Sequence, residues 1–206
     1  MVKYLRTLLD ENLNLKKHIT KKCQVAMINI ICIRNIRHYL TVDACKILMS
    51  GLVLSHLDYC NGLFTNLPEA SLKKLQRVQN IAAKITLQKR RRDSSTSCLK
   101  VLHWLPIRLS VDFKILSLVF KCLHNLAPEY LKNLINAKCQ LRLGLRSNDL
   151  VYDLEVPFVK HKTFGDRTFS VVGPCLRNGL PLSDLKLISD YNLFKSKLKT
   201  YLFTKF

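Results

Sequence analysis

Leu72 to Ile85 reads LKKLQRVQNIAAKI, and its two periodicities decide how the chain folds. Leu72, Leu75, Val78, Ala82 and Ile85 recur at the spacing that brings side chains onto one face of an α-helix. Lys73, Arg77, Asn80, Lys84, Gln88 and Arg91 recur at the same spacing on another face, so one side packs while the other stays wet and basic. The pattern predicts a helix from about Glu69 to Arg91, entered after Pro68. Lys89, Arg90, Arg91 and Arg92 at its end suit the negative end of the helix dipole, and also have the composition of a nuclear-import or phosphate-binding cluster.

Upstream the helical period continues. Leu15, Ile19, Cys23, Ala26, Ile30, Ile33, Ile36 and Leu40 predict one long, largely covered helix from Leu15 to Leu40. Thr41 is placed to cap the next helix, because its hydroxyl can accept a free amide hydrogen while Asp43 faces the positive helix end. That second helix runs to about Leu57, and Asn61, Gly62 and Pro68 separate it from the third. A shared core around Leu52, Leu75 and Ile85 is expected.

Downstream, the polar run from Ser94 to Ser97 reads as a loop or helix entry and marks the expected domain boundary. His103 has no nucleophile or carboxylate near it in sequence, so packing or capping outweighs a general-base role. Trp104, among leucines, reads as a core anchor more than a stacking platform for bases. Phe113, Leu116, Phe120 and Leu123 define a further amphipathic helix, with a shorter one from Ala127 to Ile135. Leu150 to Lys160 alternates like a short strand pair or an extended segment, Pro157 implying an edge, and Arg142, Arg146, Lys160, Lys162 and Arg167 keep the region basic. Gly165 and Asp166 read as a turn and cap before a helix from Arg167 to Val172. Ser189 to Phe203 is a last amphipathic helix, read as packed on the body in preference to a membrane surface. The fold class is therefore mainly α: a helical bundle, then a mostly helical extension with a short β or extended segment.

The charge balance points outward to a partner. Lys and Arg outnumber Asp and Glu by 34 to 14, a formal net charge of +20. Nucleic acid is the leading partner, since such a surface gains free energy by displacing counterions from phosphates without reading sequence. An acidic protein, an anionic membrane surface and an incidental excess of Lys and Arg are the alternatives. The eight cysteines contain no Cys-x-x-Cys pair or close Cys/His cluster, so no zinc site is indicated, and they read as free thiols in a reducing, intracellular setting, nucleus or cytoplasm. The amino terminus lacks signal-peptide character and no apolar run approaches a membrane span.

Several strings, taken in order, resemble one family. SHLDYCNGLF at Ser55 to Phe64 and LKKLQRVQNIAAKI after it resemble the segment following the catalytic domain in reverse transcriptases of jockey-like non-LTR retrotransposons, the LINE elements. VKYL at Val2 to Leu5, LHWLPI at Leu102 to Ile107, LAPEYL at Leu126 to Leu131, FGDRTFSVVGP at Phe164 to Pro174 and FKSKLKTYLF at Phe194 to Phe203 extend the likeness over nearly the whole chain. The resemblance implies the end of a palm-like segment over 1–14, a thumb-like helical bundle over 15–92 that holds template and primer, and a carboxy-terminal extension over 93–206. Beside that likeness, the basic helix face and the cluster after it, Lys73, Arg77, Lys84, Lys89, Arg90, Arg91 and Arg92, are the expected nucleic-acid contacts.

The chain departs from the family at Arg6, where Gly is usual after VKYL, and at Arg177, where Trp is usual. Both changes place a long charged side chain where a turn or an apolar anchor belongs, as in a decaying genomic copy. Enzymatic readings fare poorly. A polymerase needs carboxylates converging on divalent metals, and the chain has no Tyr-x-Asp-Asp string, while Asp58 and Tyr59 stand in reversed order at what reads as a helix end. No phosphate loop, nucleophile elbow or zinc-protease helix occurs. The expectation is a non-catalytic fragment, with no cofactor or metal, that binds RNA or DNA; the alternative is a degenerate basic scaffold or protein-interaction fragment.

Overall fold

The computed structural model describes residues 2–136, 153–160, 162–181 and 185–206, and it is mainly α-helical. It divides into two compact units, the first ending at Val111 and joined by Phe206, the second running from Asp112 to Lys205.

The first unit opens with an antiparallel hairpin, β1 (Val2–Tyr4) paired with β2 (Thr7–Leu9) in the register Val2↔Leu9 and Tyr4↔Thr7. Leu5 and Arg6 form its turn with φ of 44° and 63°, the left-handed pair that a tight two-residue hairpin requires. The Asp10 carboxylate then accepts the Asn14 and Leu15 amides at 3.1 and 2.8 Å, turning the chain into α1 (Lys16–Asn35). The Leu15 hydrogen bond chiefly holds the Asp10 carboxyl below its usual range.

The expected single helix to Leu40 stops earlier. A 3-10 turn at Arg37–Tyr39 follows α1, and Thr41 caps α2 (Val42–Met49) by accepting the Ala44 amide at 3.2 Å, with Asp43 in the first turn. A π-helical turn, Ser50–Leu54, joins α2 to α3 (Ser55–Asp58). Its effect is legible in what is buried: Cys45, Met49, Val53 and Leu57. A four-residue interval drifts by about 40° per step on an ideal α-helix. The wider π turn brings this stripe back into line, and it turns Leu52 outward, 47% exposed, correcting the expectation that Leu52 is core.

After a 3-10 turn at Asn61–Phe64, α4 (Glu69–Thr86) packs against α1 and α5 (Ser95–Leu102). Leu75, Val78, Ala82 and Ala83 are buried with Ile19, Ala26, Ile30 and Ile33 of α1 and Leu99 and Leu102 of α5, while Leu72 and Ile85 are only half-buried. The helix ends at Thr86, short of the expected Arg91. Gln88 adopts a left-handed φ of 51°, its amide reaching the Ile85 carbonyl and the Lys89 amide the Lys84 carbonyl, which is the Schellman arrangement. His103, with φ 54°, ends α5 in the same manner through Lys100 and Leu99, so its backbone has the capping role expected of it. The Ser94–Ser97 run is a helix entry inside the first unit. Gln76 and Gln79 of α4 then bind the next segment: the Gln76 Oε1 accepts the Ile107 amide at 2.9 Å and Gln79 Nε2 donates to the Leu105 carbonyl at 2.8 Å. These bonds fix the start of α6 (Ile107–Leu123), which continues past Val111 into the second unit.

In the second unit, Phe120 of α6 stacks on Phe194 of α10 (Tyr191–Thr204) with centroids 4.3 Å apart. α7 is a single turn, Glu129–Lys132, in place of the longer helix expected from Ala127 to Ile135. α8 (Lys162–Gly165) and α9 (Phe169–Asn178) follow, so the helix expected at Arg167 begins at Phe169, after Thr168. Gly165 permits a close approach, since a Cβ there would lie 2.6 Å from Val159 Cβ. Over residues 153–160 a β-bridge is confined to Leu154, the Glu155 amide reaches the Asn136 carbonyl at 2.9 Å, and Leu154 exchanges both main-chain hydrogen bonds with the Asn178 side chain at 2.8 and 2.9 Å. Arg142, Arg146 and the start of the expected strand pair lie outside the described residues. No helix among the described residues is long and apolar enough to cross a membrane.

Candidate nucleic-acid interface

The basic residues sort into two groups by what their charged ends touch. One group is turned inward to helix ends. Arg37, buried, donates to the carbonyls of Leu40 (2.6 Å), Ile85 (3.1 Å) and Thr86 (2.7 Å). A guanidinium has five rigid donors, so one side chain can close α4 and the preceding turn together. Lys22, also buried, donates to the carbonyls of His56 (2.8 Å) and Tyr59 at the end of α3, and lies 5.2 Å from the Tyr59 ring centroid and 5.3 Å from that of Phe64. Burial lowers its pKa to about 8, against the opposing pull of Cys60 and Asp58. Within the second unit, Arg177 donates to the carbonyls of Leu185 and Lys186, and the Lys186 ammonium pairs with Asp153 at 3.0 Å. Sequence reasoning missed all of these roles, because apart from the Arg37 bond to Leu40 the partners are separated from each cation by eight or more residues in the chain.

The other group faces water. Lys73 and Arg77 are exposed one turn apart on α4, and Asn80 and Lys84 continue the same face at half-buried positions. Beyond the helix the chain turns, and Lys89, Arg90, Arg91 and Arg92 are all exposed in the loop between α4 and α5. The cluster is thus not the last turn of a helix, as expected, but a separate basic loop. Its shape is held from within: Asp93 Oδ2 accepts the Arg90 amide at 2.7 Å, and the Asp93 amide returns to the Arg90 carbonyl at 3.1 Å. Lys84 Nζ donates to the Arg91 carbonyl at 2.8 Å, tying the loop to the helix face. Of the expected contact residues, Lys84 therefore has a structural partner, while Lys73, Arg77, Lys89, Arg90, Arg91 and Arg92 are exposed.

No acidic residue occurs between Glu69 and Asp93 in the sequence, so this stretch carries a single sign of charge. Glu69 itself faces Arg108 across 3.8 Å at the far end of α4, an exposed pair of little energetic weight. A cationic helix face running into a cationic loop can follow a polyanionic backbone. Among the described residues no group of three or more His, Cys, Asp or Glu is placed to hold a metal ion. Comparison with known proteins found no matching family model, no matching curated protein and no matching solved structure.

Proposed function

We propose that this chain is the post-palm region of a jockey-like non-LTR retrotransposon reverse transcriptase, non-catalytic by itself, which binds template and primer through α4 and the loop after it. The observation that carries the reading is the stretch without an acidic residue in which exposed Lys73 and Arg77 of α4 lead into exposed Lys89, Arg90, Arg91 and Arg92. Counterion release from phosphates supplies the binding free energy, and the contacts position the duplex without reading bases.

Two departures from the family pattern support the kinship on physical grounds. Arg6 sits at φ 63°, where the family's glycine would be unstrained. Arg177 is buried with its Nε lacking any hydrogen-bond partner, and burial lowers its pKa, at the position where the family carries an apolar anchor. A frustrated arginine in each place is what substitution into an older design produces.

The test is binding of a labelled RNA–DNA hybrid duplex by anisotropy across a salt series. Affinity should fall steeply from about 50 to about 200 mM salt, with a log–log slope near −0.9 per phosphate contact. Weak binding at low salt, or binding indifferent to salt, removes the phosphate-contact account. A second reading is a basic scaffold that binds protein through exposed apolar side chains such as Ile28 (60%) and Ile47 (71%). It predicts that hybrid binding is absent while an apolar dye binds the folded chain.

A further inference from the structure

We propose that Ser94 is a phosphorylation site for an arginine-directed serine/threonine kinase, and that its phosphate withdraws the basic loop from polyanions. Arg91 and Arg92 occupy the third and second positions before Ser94, and all three side chains are exposed. A kinase whose substrate groove carries carboxylates recognises guanidinium groups at such positions through charge-assisted, bidentate hydrogen bonds. The acceptor lies between the Arg90–Asp93 turn and the first residue of α5, so the turn held by the Asp93 bonds must open for the segment to extend into the kinase groove. Ser94 has φ −64° and ψ 123°, and although it precedes α5 its hydroxyl caps no amide of that helix. Its hydroxyl is therefore uncommitted, whereas its carbonyl accepts from Ser97 Oγ at 2.9 Å and Cys98 Sγ at 3.2 Å, which holds the residue in place. Of the neighbouring hydroxyls, Ser97 is engaged by that bond and Ser95 is half-buried in the helix.

The step uses ATP as co-reactant. Ser94 Oγ attacks the γ-phosphorus, its proton passes to the kinase's catalytic carboxylate, the bond to the β-phosphate oxygen breaks, and ADP leaves. The product carries about −1.5 to −2 charge among Lys89, Arg90, Arg91 and Arg92, and at the positive end of α5. The guanidinium groups then have an intramolecular phosphate to pair with, and lose counterions to release on an external one. The consequence for duplex binding rests on the proposed function; the modification itself does not.

The experiment treats the purified chain with the catalytic subunit of the cyclic-AMP-dependent protein kinase and Mg·ATP. Mass spectrometry locates the phosphate, and heparin-column elution and hybrid binding are read on both forms. The expected result is phosphate on Ser94, none on that peptide in Ser94→Ala, and a rate at least about tenfold lower in the Arg91→Ala/Arg92→Ala variant. The phosphorylated form should leave heparin at lower salt, and its hybrid-binding salt slope should be shallower by about two contacts. Phosphate confined to Ser95 or Thr96, or phospho-Ser94 with unchanged heparin elution, overturns the inference. If the unmodified chain fails to bind hybrid yet phosphorylation still shifts heparin elution, the proposed function falls and this inference stands.

Discussion

Arg37 Nη2 donates to the Thr86 carbonyl at 2.7 Å, joining the turn after α1 to the last residue of α4. The bond puts a cation at the negative end of the helix that presents the basic face, and fixes where that helix stops and the basic loop begins. Replacing Arg37 by Met keeps the apolar stem but strands the carbonyls of Leu40, Ile85 and Thr86, so the chain should lose about 2–4 kcal/mol of stability. Urea denaturation reads this directly; an unchanged midpoint would remove Arg37 from the account of how α4 ends.

Gln88 holds a left-handed φ of 51° at the close of α4, a conformation glycine adopts without strain. Gln88→Gly should raise stability by up to about 1 kcal/mol, visible as a higher thermal midpoint, because the gain at this backbone position exceeds the added freedom of the unfolded chain. Arg6→Gly should act in the same direction on the hairpin, where φ is 63°. A fall in both variants would contradict the account of left-handed strain at these two positions.

What the sequence did not disclose at these places has a physical cause. Thr41 was legible as a cap because its partner, the Ala44 amide, is three residues away in the chain. Arg37 was not, because its partners are brought to it by the packing of α4 on α1. The stop at Thr86 was hidden because no glycine marks it and the basic residues beyond it continue the helical period by coincidence. Leu52 was misplaced because a π-helical turn rotates the stripe, and a periodicity argument assumes an unbroken α-helix. The basic surface itself was read from the sequence at Lys73 and Arg77, which depends only on spacing along one helix; the inward roles of Lys22, Arg37 and Arg177 depend on tertiary structure.

Leu75 is fully buried between helices, and Leu75→Ala should cost about 2–5 kcal/mol if the site cannot collapse. The same substitution at half-exposed Leu52 should cost less than about 1 kcal/mol. Equal losses at the two positions in chemical denaturation would contradict the placement of the core.

His18 is buried with its Nδ1 accepting the Leu8 amide at 3.3 Å, so the imidazole folds neutral. Burial, and then the charge of Lys22, lower its pKa below the ordinary 6.5. The unfolded chain therefore binds a proton before the folded one does. Stability should be unaffected by this group above pH 6.5 and should fall as pH drops below it toward the folded pKa. His124, lowered by burial and then by Arg177, adds a slope of the same sign. A His18→Gln variant should show a shallower loss of thermal midpoint between about pH 6.5 and 5 than the parent; an unchanged slope would mean that His18 does not titrate with unfolding.

The most direct test of the central claim is the salt dependence of hybrid binding in a variant carrying Lys73→Gln, Arg77→Gln, Arg91→Gln and Arg92→Gln. These side chains are exposed and cap nothing, and Gln keeps much of the helix propensity, so circular dichroism should report an unchanged fold. Lys84 and its bond to the Arg91 carbonyl remain in place, leaving the loop tied to α4. The account predicts weaker binding of an RNA–DNA hybrid duplex and a log–log salt slope shallower by up to about four contacts. A folded variant that binds the hybrid with the parent's affinity and the parent's salt slope would contradict it.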